Sequence, residues 1–305
     1  MRTAEKNKNI YFNLTNPLAY IELNKPSGPT RLLTLNQKQP NIVASTTFAS
    51  VIFTRSDRED INDLKDIKNK SIIAVHEEAF GGWRMALLEL LHNDFDPYKD
   101  TSAILFTKNN THQAVVSSVL LGKADVGVIR TGIIEQLVSQ GKIKADSFKI
   151  LNRHNDKLSA LHSTEHYPEW PFAVMPHVSN DISNKVFRTL LSIQPNSKAA
   201  MAGKYVNWTA PLDYSDVYKL TNELSQRYIT FEKVWDKYWL EIILFQVFLI
   251  AIAIYTLYLF SINKKLMLSE LEVSQHRDHL EEEVNIRTEE LTFEKAKADN
   301  ENKAK

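Results

Sequence analysis

The segment "ILFQVFLIAIAIYTLYLF", Ile243–Phe260, runs for eighteen residues without a charge, a proline or a glycine. Helices on the surface of a soluble protein keep a polar face, so this run limits the chain more than any other feature. At about 1.5 Å per residue, the roughly 21 residues from Ile242 to Ile262 match the ~30 Å hydrocarbon layer of a bilayer. Tyr238 and Trp239 stand at one end of the run, and Tyr255, Tyr258, Lys264 and Lys265 at the other. Interfacial aromatics with lysines on one side are the pattern of a membrane span whose lysine end is cytoplasmic. We therefore expect a transmembrane helix at 239–262, a cytoplasmic segment at 263–305, and everything earlier outside the cytoplasm. The alternative is a buried core helix.

An exported region needs a signal in front of it. The opening "MRTAEKNKNIYFNLTNPLAYIEL" has basic residues but no apolar run followed by small ones. The natural chain is thus expected to begin upstream of Met1. Composition narrows the field further. With 43% hydrophobic and 10% aromatic residues the chain can bury a core, and 37 basic against 37 acidic residues leave no net charge to attract nucleic acid. The sequence has no cysteine, which removes disulfides, thiolate nucleophiles and cysteine-bound zinc.

Before the span, short β-branched runs alternate with amphipathic ones. "SIIAVH" reads as a strand and "WRMALLELLHN" as a helix. "THQAVVSSVLLGKADVGVI" reads as a helix capped at Gly122 and then a strand, and "TGIIEQLVSQGK" as a helix closing at Gly141. Later come a proline-bracketed strand, "WPFAVMP", the helix "SNDISNKVFRTLLSI", and a last helix near 215–225. This alternation predicts an α/β fold with a mainly parallel sheet.

Four stretches, "SVIFTRSDREDINDLKDIKNKSIIAV", "GGWRMALLELL", "NTHQAVVSSVLLGKADVGVI" and "KADSFKIL", resemble in order and spacing the phosphonate-binding periplasmic proteins of the type 2 solute-binding fold. "TRSDREDI", "AFGGW", "IRTGIIE" and "YPEWPFA", followed by one span, are similar to the sensor domain of tetrathionate- and thiosulfate-sensing histidine kinases. The resemblance covers roughly residues 10–230, with the family's first strand and helix missing at the front. It implies a bacterial inner-membrane protein with a periplasmic sensor domain at 1–231, built as two hinged lobes. Lobe 1 is expected at about 1–70 and 149–231, and lobe 2 at about 71–148. A small oxyanion, such as tetrathionate or thiosulfate, would sit between them.

The residues supply physical reasons for such a site. In "AFGGW", Gly81 and Gly82 stand just before a helix and between Phe80 and Trp83, where bare backbone N–H groups and the helix dipole can approach an anion, although Gly-Gly is also an ordinary turn. Phe80 and Trp83 replace the hydroxyls of phosphonate binders and suit a soft, weakly hydrated sulfur oxyanion. Arg130 and Thr131 follow a strand, where open α/β sheets bind ligands. Arg130 is suited to a bidentate grip on an oxyanion or to a salt bridge with Glu135 or another carboxylate. The resemblance also points to Thr111, which can cap its helix as well, and to His112, a donor even when neutral. Thr54 and Arg55 are placed in lobe 1 and can close on the ligand, or Arg55 and Arg58 can pair with Asp57, Glu59 and Asp60. Glu77 and Glu78 are expected to face solvent. Glu169 and Trp170 either stabilise the first lobe or border the cleft.

The histidines at 154, 162, 166 and 177 match no common zinc spacing, so no metal is expected, and no cofactor either. No catalytic constellation stands out. Beyond the span, Leu266, Val273 and Leu280, then Val284, Leu291 and Ala298, recur at sevens, interrupted by Arg287. This predicts a coiled-coil signalling helix and a homodimer through span and coil, the alternative being a solvated single helix. Neither His276 nor His279 lies in a phosphoacceptor context, so kinase chemistry and contact with a response regulator belong to a region beyond this chain. The competing function is a membrane-tethered solute-binding protein for phosphonate- or phosphate-like anions, without signalling.

Overall fold

The structure, a computed structural model, describes residues 9–24, 28–39, 42–228 and 231–303. The expectations about the very start of the chain fall partly on residues 1–8, outside the described ones. The chain divides into two compact units, Met1–Tyr228 and Ile229–Lys305.

The first unit contains two five-stranded sheets joined by a pair of short crossing strands. The strands are β1 (Phe12–Leu14), β2 (Thr30–Gln39), β3 (Ile42–Ser45), β4 (Thr47–Phe48), β5 (Ser50–Arg55) and β6 (Ser71–Ala74). They continue with β7 (Ala103–Phe106), β8 (Val126–Arg130), β9 (Phe148–Leu151), β10 (Tyr167–Pro168), β11 (Pro171–Val174) and β12 (Tyr205–Thr209). One sheet has the order β1-β11-β2-β12 with β3 on the edge of β2, and every pairing in it is antiparallel. Its alternate residues Leu33 and Leu35 turn inward and meet Trp208, Phe172 and Phe187.

The other sheet has the order β7-β6-β8-β5-β9. Its β5 reads "SVIFTR", and Val51, Ile52 and Phe53 are all buried, because the sheet is covered on both faces and has no solvent side to alternate with. Gly127 of β8 is needed for this packing: a Cβ there would lie 2.5 Å from the Phe53 ring. Only β7, β6 and β8 run parallel; β5 is antiparallel to both β8 and β9. The expectation of a mainly parallel sheet thus holds for one half of one sheet. Parallel neighbours need a crossover, which the helices Met85–His92 and His112–Leu120 provide, whereas β5 enters directly from β4.

These pairings also correct the lobe boundary at 70/71. β5 is an inner strand of the second sheet, so that lobe begins near Ser50 and ends near Leu151. The pair β4 and β10 carries the chain across between the sheets. The helix Ser215–Arg227 then packs on Pro17–Leu23 of the first lobe and on Met85–His92 of the second. Glu223 meets His92 at 2.8 Å, and the Tyr228 hydroxyl just past the helix donates to Asp96 at 2.8 Å.

In the second unit, Phe231–Lys303 is one helix with a break in helical geometry at Tyr238 (φ −125°, ψ 16°). The section Tyr238–Thr292 is long and apolar enough to cross a membrane. Side chains from Ile243 to Phe260 are exposed or half-exposed rather than packed within the protein, so the buried core-helix alternative does not apply. Leu266, Val273, Leu280, Val284 and Leu291 are exposed as well, while the side chain of Ala298 lies outside the described residues.

Candidate functional site

Between the two sheets of the first unit lies a cleft of about 790 Å³. The first lobe contributes Gln37 and Lys38 from the end of β2, Trp170, and Met201 and Lys204 around a short helix. The second contributes His112, Arg130 to Ile133, Gln136 and Gln140. Among the described lining residues three are cations and none is a carboxylate. Such a wall of one sign attracts a small anion.

Arg130 is the last residue of β8 and His112 the first of the helix His112–Leu120, so topology brings both to the same edge. Thr111 caps that helix by accepting the Ala114 N–H at 3.3 Å. The Arg130 backbone N–H donates to His112 Nδ1 at 3.4 Å, which leaves Nε2 to carry the proton of the neutral ring. Burial, then the nearby Arg130 and His76, lower the His112 pKa to about 4. His112 is therefore a neutral donor at physiological pH. The Thr131 hydroxyl is buried against the β5 entry, accepting the Ala49 N–H at 3.4 Å.

The Arg130 guanidinium stacks 4.1 Å above the Phe48 ring and donates Nη2 to Glu169 Oε1. Glu169 belongs to the first lobe, so this ion pair bridges the two. Its carboxylate is wholly buried, and burial raises its pKa although Arg130 and the Trp170 N–H pull the other way. Tyr214 holds the loop by donating its hydroxyl to the Glu169 carbonyl. The salt bridge anticipated for Arg130 exists, but with Glu169 instead of Glu135, whose Oε1 accepts the Leu161 N–H.

The remaining anticipated residues do not reach the cleft. Phe80 and Trp83 are core side chains, with Phe80 edge-on to Phe48 and Tyr167. Gly81 and Gly82 lie in a π-helical turn at Phe80–Arg84, where a Cβ on Gly81 would sit 2.7 Å from the Phe48 ring and 3.5 Å from Arg130 Cβ. The glycines let this turn press against the wall that carries Arg130; they do not open it to a ligand. Thr54 donates to the Asp125 carbonyl, and Arg55 grips Asp57 through two bonds of 2.9 and 3.1 Å. Register explains their distance from the site. Ser50 pairs with Arg130 and Thr54 with Val126, so Thr54 lies about 13 Å further along the strand. Gln37, Lys38, Gln136, Gln140, Met201 and Lys204 gave no signal in the sequence, since isolated polar residues near element ends look like solvated surface. Trp170 did carry one, through the proline-bracketed motif around it.

Residues 1–217 match the family of phosphonate periplasmic substrate-binding proteins of ABC transporters. The chain belongs to this phosphonate-binding family. Within it, the chain is 27% identical over 226 residues to the tetrathionate sensor histidine kinase TtrS of Salmonella typhimurium. That match covers 74% of this chain but 36% of TtrS, so the chain spans about a third of that relative. Two solved structures share the fold. XAC2383 from Xanthomonas citri, bound to ATP, has TM-score 0.55 at 17% identity, covering 72% of this chain and 79% of its own. PhnD1 from Prochlorococcus marinus, in complex with methylphosphonate, has TM-score 0.55 at 13% identity, covering 73% and 81%. The first unit is thus a two-lobed type 2 periplasmic binding domain, accompanied by one helix able to cross a membrane.

Proposed function

We propose that this chain is the ligand-sensing and transmembrane portion of a two-component sensor histidine kinase, and that its cleft captures a small sulfur oxyanion such as tetrathionate or thiosulfate. The observation that carries this reading is the cleft lining, with Lys38, Arg130, Lys204 and the neutral His112 N–H and no acidic side chain. Phe80 and Trp83 are buried in the core and cannot offer the soft surface such a ligand needs. Trp170 and Met201 take that role, since a polarizable thioether and an indole face suit a weakly hydrated ligand with sulfur–sulfur bonds. The likeness to TtrS supports the same choice.

In this reading the anion competes with Glu169 for Arg130. Glu169 occupies Nη2, and a guanidinium has five N–H donors, so Arg130 either holds both partners or trades one for the other. Closure then moves the helix Ser215–Arg227, which touches both lobes and leads along the chain to the span. An anion that binds the closed form about 100-fold better shifts the equilibrium by about 2.7 kcal/mol. In a homodimer through the inner-membrane span, the exposed apolar seam at Val273, Leu280 and Val284 would repack in response, and a kinase region beyond this chain would pass the signal to a response regulator.

Calorimetric titration of the whole chain in detergent with tetrathionate, thiosulfate, methylphosphonate and sulfate tests the ligand. One of the two sulfur compounds should bind at least tenfold more tightly than sulfate or methylphosphonate. A preference for methylphosphonate would favour a tethered solute-binding protein, and no heat with any of the four would overturn the cleft reading.

A further inference from the structure

Residues 152–166 carry the chain from β9 back to the crossing strand β10, and they contain an unusual group of side chains. His154, Asp156 and His162 each offer one ligand atom, and these atoms all lie within 4.8 Å of one another. His162 is 1% exposed, yet its Nε2 has no hydrogen-bond partner. Its Nδ1 lies 2.7 Å from the Ala160 carbonyl, an oxygen that can only accept, so Nδ1 bears a proton. In the neutral ring Nε2 is then a bare lone pair, and Asp156 Oδ1 faces it at 3.3 Å. Two electron-rich atoms at that distance repel unless a proton or a metal cation lies between them.

The surroundings have the features of a ligand shell. An imidazole whose far nitrogen donates to a carbonyl is oriented as metal-binding histidines are. His154 Nε2 lies 3.3 Å from the Asn152 amide nitrogen, which also reaches Glu89 and the Ser163 carbonyl, each at 2.9 Å. An amide has two protons for these three acceptors, so the His154 lone pair is the least engaged. Asp156 is partly exposed, giving an ion a path in, and its Oδ2 stands 3.9 Å from His166 Nε2, a fourth candidate donor. Bound transition ions hold N and O ligands at about 2.0–2.2 Å, so closing on one needs a contraction on the order of 1 Å.

We propose that His154, Asp156 and His162 form a binding site for a divalent transition-metal ion, with zinc the best fit to two imidazoles and a carboxylate. The spacing of these residues matches no zinc motif because the site is formed by a loop folding back, and not by a helix or finger motif. Its place is informative. The Ser163 N–H donates to the Ser50 carbonyl and the Ser163 hydroxyl accepts from the Ile52 N–H, so an ion here would staple the return crossover to the first strand of the second lobe.

The test uses the whole chain in detergent, stripped with a chelator and titrated with Zn2+ alone in a calorimeter. We expect one saturable site per chain, unmoved by excess Mg2+. Asp156→Asn, which keeps shape at a partly exposed position, should weaken it at least tenfold, as should His162→Gln. A His276→Gln/His279→Gln control on the long helix should leave it unchanged. Absence of a saturable site, or equal affinity in Asp156→Asn, would overturn the proposal and leave an imidazolium–carboxylate pair as the reason for the contact. Should His162→Gln fail to fold, Asp156→Asn decides alone.

Discussion

Acidification should destabilise the binding domain through His112, by an amount the structure allows one to work out. The ring is buried beside Arg130 and His76, which lowers its pKa from 6.5 to about 4. A base with a depressed native pKa contributes its stability fully above the unfolded pKa and loses it as pH falls towards the folded one. The unfolded chain takes up a proton near pH 6.5 while the native ring stays neutral. At about 1.4 kcal/mol per pH unit between the two values, moving from roughly pH 7.5 to pH 5 should remove about 2 kcal/mol. The full loss, on the order of 3 kcal/mol, is reached only below pH 4. Urea unfolding of the whole chain in detergent, followed by tryptophan fluorescence, reads this directly because Trp83 and Trp208 are buried in the domain. His112→Asn retains an oxygen able to accept the Arg130 N–H and has nothing to protonate. It should therefore lose about 2 kcal/mol less than the wild type between the same two pH values. If both proteins show the same pH dependence, His112 is not a buried neutral ring and its role as an uncharged donor in the cleft falls.

Two further outcomes follow from the wall behind the cleft. Arg130→Ala leaves the buried Glu169 without its partner and should cost about 3–5 kcal/mol, most of which Arg130→Ala/Glu169→Gln should recover. A double mutant no more stable in thermal melting than Arg130→Ala would mean the pair does not bridge the lobes. Gly81→Ala drives a methyl to 2.7 Å from the Phe48 ring and should destabilise by about 1–3 kcal/mol in the same assay. An unchanged melt would show the glycine turn to be loose.

Under the proposed function, the Arg130–Glu169 pair sets the terms on which the cleft would take an anion. A free arginine would bind any oxyanion on contact, whereas one already neutralised by a buried carboxylate releases its charge only when the ligand offers a better arrangement. Lys38 and Lys204, which pair with no carboxylate among the described residues, supply the standing positive charge of the cleft.

Much of this protein follows from local sequence. The apolar helix around Ile243–Phe260, the capped helices at Thr111 and Ser179, and Arg130 at a strand end all depend on residues close together in the chain. Period, cap and charge are therefore enough to read them. What depends on strand pairing was not legible. "SVIFTR" does not disclose that its partners lie some 75 and 100 positions later, in β8 and β9, and so local sequence cannot tell that Thr54 and Arg55 belong to the second lobe. "AFGGW" shows that a backbone must come close to something; only packing shows that the something is Phe48 and not a ligand. The same holds for Glu169 against Arg130 and for the three donors at 154, 156 and 162. Burial and long-range pairing are properties of the folded whole, and tertiary structure alone decides which of several equally plausible side chains ends up facing the cleft.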